Sequence, residues 1–244
     1  MHKQLETQNT AVLFFSRSPK AEGKSKQLAH HSCDQNNTRI AEALIRHTRR
    51  QITNSGLPCF IFDEVHQQGS TFVERFTHAF ESVFAEGFKH VIATGNDTPG
   101  LKAAHITSAA RKLTSGKSDV VLGPTTDRGT WLMGYSRHPF DANAFRQLPW
   151  NLQDLLDELL SQSPKNCTIF LMDELADIDN PASLRQFIET FYGDWSLRDL
   201  AKRIRSVIAT IVSFFIEMKQ TNISSRFLKT HLLRAPPLRL EEVA

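Results

Sequence analysis

One acidic residue directly follows an apolar run in the segment ATGNDTPGL, residues 93–101. Asp97 comes after HVIATG, and Pro99 and Gly100 follow it closely. Proline fixes its own backbone and keeps the residue before it extended, so the acid is held in one place. If HVIATG is a strand of a parallel sheet, Asp97 lies at the carboxyl edge, where such sheets bind ligands. A carboxylate there suits a divalent cation that carries nucleotide phosphates.

Positive charge follows the first apolar run of the chain, in the segment SRSPKAEGKSK. The sequence predicts a polar loop there, with Gly23 near its centre. A phosphate requires positive charge and close backbone donors, and this segment offers both. Its cations are Arg17, Lys20, Lys24 and Lys26. The segment lacks the Walker pattern, and a solvated basic turn is the alternative interpretation.

Further acids stand at two other places that the pattern assigns to strand ends. Asp127 lies beyond the run DVVLG, as Asp97 lies beyond HVIATG, and a turn-forming aspartate is the alternative. Asp177 and Asp179 lie in MDELADIDNP. One of these two completes a metal site with Asp97, or else Asp179 or Asn180 caps the helix that Pro181 opens.

Apolar periodicity gives the elements that must position these residues. Strands are predicted at 11–15, 58–64, 90–95, 119–123, 130–135 and 167–172. Helices are predicted at 38–52, 72–84, 101–113, 151–162 and 181–191. Their alternation predicts an α/β fold with a mainly parallel sheet that helices cover on both faces.

Composition narrows the class of protein. The 244 residues are 40% apolar and 23% charged, as in ordinary globular proteins. Three scattered cysteines predict reduced thiols, and a polar amino terminus without a signal peptide predicts a cytoplasmic protein. The net charge of +3 combines +5 in residues 201–244 with −2 in residues 1–200. The main body is therefore not expected to bind nucleic acid.

The basic segment at residues 201–244 is predicted to be a unit separate from the main domain. We predict a domain over residues 1–200 and a helical extension with a basic tail over 201–244. Its apolar stripe is Ile204, Ile208, Ile211, Phe215 and Met218. Packing on the domain is the simplest interpretation of this stripe; a homodimer or a membrane-surface contact through residues 201–220 is the alternative.

Five segments occur in the order seen in a known family. They are SRSPKAEGKSK, QGSTFVERFTHAF, GNDTPGL, GPTTDRGTWLMGY and ELADIDNPASL. In these segments, over about residues 11–190, the chain resembles the radical-SAM/selenodomain-associated transferases. That family has the GT-A fold of nucleotide-diphospho-sugar transferases. It is distantly similar to the guanylyltransferases of molybdenum-cofactor and phospholactate metabolism.

The resemblance implies a nucleotide or nucleotide-sugar donor held by Mg²⁺ or Mn²⁺. It assigns Lys24 and Lys26, with Arg17, to the donor phosphates and Asp97 to the metal. Asp177 and Asp179 match the family's Asp-Val-Asp, and the acceptor is expected near Asp127, which the resemblance makes the catalytic residue. Glu74 and Arg75 match an acid–arginine pair that binds or braces the donor loop.

The chain departs from the family pattern at two places. Gln27 and Leu28 stand where the family continues with Thr-Arg-Leu. The family has Asp-Gly-Gly-Tyr where this chain has Asp127, Arg128, Gly129 and Thr130. Arg128 on the acceptor side, next to Gly129, fills the space that a glycine leaves, or binds an anionic acceptor.

The sequence therefore predicts a metal-dependent transferase with a nucleotide-activated donor and an unidentified small acceptor. A nucleotide-sugar glycosyltransferase is the first reading, and a nucleotidyltransferase is the alternative. The departures at Gln27 and Arg128 leave a third possibility, a nucleotide-binding protein without turnover.

Overall fold

The computed structural model describes residues 9–29, 34–150, 155–161, 167–190 and 197–209. The strands in these residues are β1 Thr10–Phe15, β2 Cys59–Phe62, β3 His90–Thr94, β4 Val120–Pro124, β5 Thr130–Ser136 and β6 Ile169–Leu171. The helices are α1 Pro19–Ser25, α2 Asp34–Ser55, α3 Phe72–Ala85, α4 Ala103–Thr114, α5 Ala142–Gln147, α6 Leu155–Ser161, α7 Pro181–Thr190 and α8, residues 198–209. The predicted α/β class is confirmed.

The six strands form one sheet in the order β2-β1-β3-β5-β4-β6. β1 pairs in parallel with β2 and β3, and β4 pairs in parallel with β6. β5 is antiparallel to both of its neighbours, β3 and β4. Five carboxyl ends and the beginning of β5 therefore meet at one edge of the sheet.

Successive residues of the central strands face opposite sides of the sheet, as the pleat requires. Leu13, Ala93 and Met133 belong to the apolar cluster that α3 and α5 cover. Phe14 and Ile92 belong to the cluster on the other side, which α2 and α4 cover. Both faces are buried, which explains the uninterrupted apolar runs of the strands.

The basic segment after β1 differs from the prediction, because it is a helix rather than a loop. Ser18 caps α1: its side-chain oxygen accepts a hydrogen bond from the Ala21 N–H at 3.3 Å, and Pro19 opens the first turn. Glu64, which follows β2, accepts a further bond from the Ser18 N–H at 2.6 Å. Serine followed by proline is a helix-start signal, so the sequence contained the information for α1.

Gly23 is required by helix packing rather than by a phosphate loop. A Cβ atom at this position would lie 2.4 Å from the backbone nitrogen of Thr38 and 2.6 Å from its Cα atom. α1 therefore packs directly against the first turns of α2, which fixes the direction in which its last residues point.

The end of the described chain packs onto the domain. Leu197, Leu200 and Ile204 are buried in a third apolar cluster with Leu28 of the α1–α2 connection and Ile40 of α2. The predicted division at residue 200 falls within α8 and stays a prediction. The stripe residues Ile211, Phe215 and Met218 lie outside the described residues. None of the described helices combines the length and the apolarity needed to cross a membrane.

Gly23→Ala should destabilise the protein. The added methyl group meets backbone atoms that no rotamer change can move, and overpacking of this kind costs up to about 3 kcal/mol. The better helix propensity of alanine returns about 1 kcal/mol, so a net loss of about 2 kcal/mol in the free energy of unfolding is expected in urea titrations. Lys24→Ala, at the exposed neighbouring position, is the control and should change the stability by no more than about 0.5 kcal/mol. Equal stability of the glycine and alanine proteins would contradict the tight α1–α2 contact.

Candidate functional site

A cavity of about 530 Å³ opens at the carboxyl edge of the sheet. Its walls come from the ends of β1 and β3, the beginning of β5, and α1 and α3. The charged side chains in this lining are Arg17, Glu22, Lys26, Arg75, Asp97 and Asp177. The volume falls in the range of about 300–1,000 Å³ that small-molecule sites occupy.

The loop after β3 carries Asp97 and is held by hydrogen bonds from two directions. The Thr94 hydroxyl, where β3 ends, donates to the carbonyl oxygen of Trp131 at 3.0 Å. The Ile178 N–H donates to the Asp97 carbonyl oxygen at 2.8 Å. The second bond places the acids on either side of Ile178 next to Asp97, although they are about 80 residues away in sequence.

Lys26 is the centre of the charged cluster. Its ammonium nitrogen lies 2.9 Å from a carboxylate oxygen of Asp97, 2.6 Å from one of Asp179 and 3.7 Å from one of Glu22. Burial of the ammonium lowers its pKa, but the carboxylates of Asp97 and Asp179 outweigh burial and raise the pKa of Lys26 well above its usual value. Lys26 is therefore charged at every ordinary pH, and it is bound to the acids that the sequence assigned to the metal.

Asp177 completes the cluster from the same loop as Asp179. The Thr98 hydroxyl donates a short hydrogen bond to its carboxylate. Burial, and then the neighbouring Asp97 carboxylate, raise the pKa of Asp177 to about 8. Burial and the neighbouring carboxylate together disfavour the charged form of Asp177.

The sequence predicts Asp179 either as a metal ligand or as the cap of α7, and the hydrogen bonds of Asn180 decide which residue caps the helix. The Asn180 side-chain oxygen accepts from the N–H groups of Ala182 and Ser183, at 2.9 and 3.0 Å, and so caps α7. Asp179 does not cap the helix through its carboxylate, which instead contacts Lys26.

The donor set suits a hard divalent cation. Mg²⁺ and Mn²⁺ prefer carboxylate oxygens, and Mg²⁺ bonds to them at about 2.1 Å. Within the described residues no three acidic, histidine or cysteine side chains are already gathered as a complete metal site. However, the oxygens of Asp97 and Asp179 share one cationic neighbour, Lys26, at 2.9 and 2.6 Å. A metal ion in place of the ammonium would require inward movements of only about 0.8 and 0.5 Å, so the residues fit such an ion.

The predicted phosphate ligands do not all face the cavity. Arg17 and Lys26 line it, whereas Lys24 is exposed on α1 and is not among the lining residues. Arg75 lines the cavity too, and its guanidinium donates to the Ser70 carbonyl oxygen at 3.0 Å. Glu74 accepts from the N–H groups of Ser70 and Thr71, at 2.7 and 3.1 Å, so the acid–arginine pair braces the loop before α3.

The turn with Asp127, Arg128 and Gly129 lies beside the cavity rather than in its lining. Asp127 is exposed, and it accepts hydrogen bonds from the Thr125 hydroxyl and, at 3.2 Å, from the Gly129 N–H. Arg128 has a φ of 69°, in the left-handed region that favours glycine, and its guanidinium pairs with Asp157 of α6. The catalytic role predicted for Asp127 and the acceptor role predicted for its neighbours stay predictions.

An aromatic wall faces the charged cluster, and sequence reasoning missed it. Phe15, Phe72, Phe76 and Trp150 all line the cavity. Phe72 and Phe76 stack with centroids 5.4 Å apart, and Trp150 meets both edge-on at 5.7 and 5.5 Å. Phe72 remains 45% exposed, which is unusual for so large an apolar side chain. The sequence held one signal of this wall: Phe72 directly follows Thr71, the cap of α3, and the first turn of a helix is usually exposed.

Comparison with solved structures shows the fold. The chain superposes on a protein from Desulfovibrio desulfuricans G20 that was provisionally named a nucleotide-diphospho-sugar transferase. The TM-score is 0.65 at 18% identity, over 82% of this chain and 98% of that one. This likeness confirms the GT-A-like fold that the sequence predicted.

Two further structures are more distant. One is Rv0371c from Mycobacterium tuberculosis H37Rv in complex with manganese, with TM-score 0.41, 11% identity, and 75% and 99% of the two chains covered. The other is the molybdopterin-guanine dinucleotide biosynthesis protein A of Archaeoglobus fulgidus, with TM-score 0.35, 12% identity, and 82% and 98% covered. No protein with a curated description matches the chain.

A family model also matches the sequence, over residues 21–152. The matched segment contains the last five residues of α1, the loop with Asp97, the turn with Arg128, and Trp150. The association with radical-SAM proteins that the sequence resemblance implied stays a prediction. Since the match spans more than half of the chain, the protein belongs to the family described as "Uncharacterized protein conserved in bacteria (DUF2064)".

Proposed function

We propose that this protein is a divalent-metal-dependent transferase that uses a nucleotide-activated donor, with a nucleotide sugar as the preferred donor. The observation that carries the proposal is the cluster around Lys26. Carboxylates from the loops after β3 and β6 converge on one cation in a cavity at the carboxyl edge of the sheet. In open α/β sheets this edge is where ligands bind.

The charged end of the cavity would bind the donor phosphates. Asp97, Asp177 and Asp179 would hold the metal, while Arg17 and Lys26 would contact phosphate oxygens directly. A bound metal ion would offset the negative charge that develops on the leaving phosphate. Glu74 and Arg75 would act indirectly, by keeping the loop before α3 in place.

The aromatic end of the cavity supports a donor with a planar ring. Phe72 presents an exposed ring, and Phe76 and Trp150 fix its position from two sides. Bases stack on such side chains without regard to their hydrogen-bonding pattern. The cavity thus offers charge for a diphosphate and an apolar surface for a base, which are the two ends of a nucleotide.

The acceptor would approach from the turn with Asp127 and Arg128. The Arg128 guanidinium pairs with Asp157. The carbonyl oxygen of Arg128 accepts a hydrogen bond from the Leu156 N–H at 3.3 Å. We propose that this pairing sets the rim of the acceptor side. An acceptor with a carboxylate or phosphate group would compete with Asp157 for the guanidinium.

Nucleotidyl transfer is the second candidate, because a phosphate end and a base end serve a nucleoside triphosphate equally well. Glycosyl transfer breaks the bond between the sugar and the diphosphate and releases a nucleoside diphosphate. Nucleotidyl transfer breaks the bond between the α-phosphorus and the oxygen that bridges it to the β-phosphorus, and it releases pyrophosphate. The products therefore distinguish the two reactions.

The function is tested by incubating the protein with nucleotide sugars or nucleoside triphosphates, with Mg²⁺ or Mn²⁺ and with a chelator. Metal-dependent release of a nucleoside diphosphate from a sugar donor is expected. Asp97→Asn should lower metal-dependent donor affinity at least about tenfold in calorimetry, since loss of a carboxylate weakens a metal site at least as much as loss of its outer partners. Asp63→Asn, an acid after β2 that bonds to the turn at His66, is the matched control and should bind like the native protein.

Nucleotide binding that is identical with and without metal would contradict the proposal. So would equal effects of the substitutions at Asp97 and Asp63. A folded protein that binds nucleotides in the presence of metal, but releases no product from any donor, would favour the interpretation without turnover.

Phe72→Ala should weaken binding of a nucleoside diphosphate and leave binding of pyrophosphate unchanged. Base–aromatic stacking contributes about 1–3 kcal/mol, so the dissociation constant of the nucleotide should rise about 5- to 150-fold. Val65→Ala, at an exposed apolar position outside the cavity, is the control. An equal loss for both ligands would mean that Phe72 shapes the site rather than stacks on a base.

Asp177→Asn should change how the metal-free stability depends on pH. The native pKa of Asp177, about 8, lies above its usual value near 4, so its stabilising contribution is complete at acid pH and is lost as pH rises through about 8. Asparagine stays neutral, so the variant should gain melting temperature over the native protein between pH 5 and pH 9 in a chelator. A difference that does not vary with pH would contradict the raised pKa. Saturating Mg²⁺ should instead favour the native protein, because the metal binds the carboxylate.

A further inference from the structure

The cation at the centre of the cluster belongs to the chain itself. Lys26 is the residue that follows α1, and its backbone N–H still bonds to the Glu22 carbonyl oxygen. The direction of α1, which the contact at Gly23 fixes, therefore delivers this ammonium to acids 71 and 153 residues away. Its side chain remains 22% exposed toward the cavity, so it has room to turn.

We propose that Lys26 is an internal substitute for the divalent ion, which the metal must displace before the donor can be bound fully. This inference rests on the proposed function, and it adds the order in which metal binding, release of Lys26 and full donor binding occur. Without metal, the ammonium pairs with Asp97 and Asp179 and offsets part of their charge. When the metal enters, Lys26 leaves these carboxylates and turns to the donor phosphates.

The exchange follows from the contacts of the acids. An ammonium and a divalent ion cannot both contact the same carboxylate oxygens of Asp97 and Asp179, because the two cations would repel each other at contact distance. The lysine stem is flexible and its ammonium is a compact charge without fixed bonding directions, so it can release one anion and bind another. Among the described residues, the ion pairs of Asp97 and Asp179 are with Lys26 and not with Arg17, the other cation of the phosphate end, so Arg17 does not compete.

The direction of the charge balance also favours exchange. The carboxylates of Glu22, Asp97 and Asp179 lie 3.7, 2.9 and 2.6 Å from the one ammonium of Lys26. A divalent ion neutralises more of this charge than Lys26 does. The displaced ammonium then meets the diphosphate that arrives with the metal, so metal binding and donor binding reinforce each other.

The test is Lys26→Gln, measured by calorimetry with Mn²⁺ alone and then with a nucleoside diphosphate at saturating Mn²⁺. If Lys26 competes with the metal, the variant should bind Mn²⁺ about tenfold more tightly than the native protein. Its affinity for the nucleoside diphosphate should fall about tenfold, since one charged contact to phosphate is lost. Lys117→Gln, at an exposed position between α4 and β4 that does not line the cavity, is the control and should change neither value.

A third measurement separates exchange from misfolding. In a chelator, Lys26→Gln should melt below the native protein, because the acids have lost their cation, and Mn²⁺ should remove this difference. Weaker or equal Mn²⁺ binding by the variant would overturn the inference and leave the proposed metal site standing. Absence of Mn²⁺ binding in both proteins would overturn the metal site and the inference together.

Discussion

Repulsion among carboxylates is the constraint on which this structure depends. A sheet whose strands are mostly parallel brings the loops after β3 and β6 to one edge, and each of these loops carries acidic residues. The 2.8 Å hydrogen bond from the Ile178 N–H to the Asp97 carbonyl oxygen joins the two loops and keeps their acids close together. Lys26 is the cation that stabilises this arrangement. The packing of α1 places Lys26 beside the acids. The packing of α1 is thus part of the fold and also places the cation that the acids of the site need.

Much of this architecture follows from the sequence. Apolar runs with helices between them predict the α/β class, and a strand that ends at Thr94 places Asp97 at the sheet edge. The antiparallel direction of β5 is not visible in such patterns, because a buried strand reads alike in both directions. Yet that direction brings Thr130 and Trp131 to the edge with Asp97.

The site was only partly predictable, for a physical reason. Residue types predict a metal ligand at Asp97 and a phosphate ligand at Lys26, but they do not predict that the two are partners, since their contact depends on how α1 packs at Gly23. Lys24 and Lys26 are equivalent by composition and differ in the structure by their position at the end of one short helix. The aromatic wall was hidden for a similar reason, because Phe72 has the helical spacing of a core residue and only its burial reveals that it faces a cavity.

Arg128 illustrates how a departure from a family pattern can be accommodated. Its φ of 69° belongs to the region where glycine has no penalty, and a residue with a side chain is less stable there by about 1–2 kcal/mol. The ion pair with Asp157 joins two side chains that are each more than half exposed, so it offsets at most about 1 kcal/mol of this cost. The turn keeps the backbone shape that a glycine would adopt, even though an arginine occupies the position. An arginine held in this conformation at a net cost argues that the backbone path beside the cavity is constrained by its surroundings. In the function that we propose, the arginine would change what an acceptor meets at the rim, while Lys26, the acids and the aromatic wall keep their own contacts.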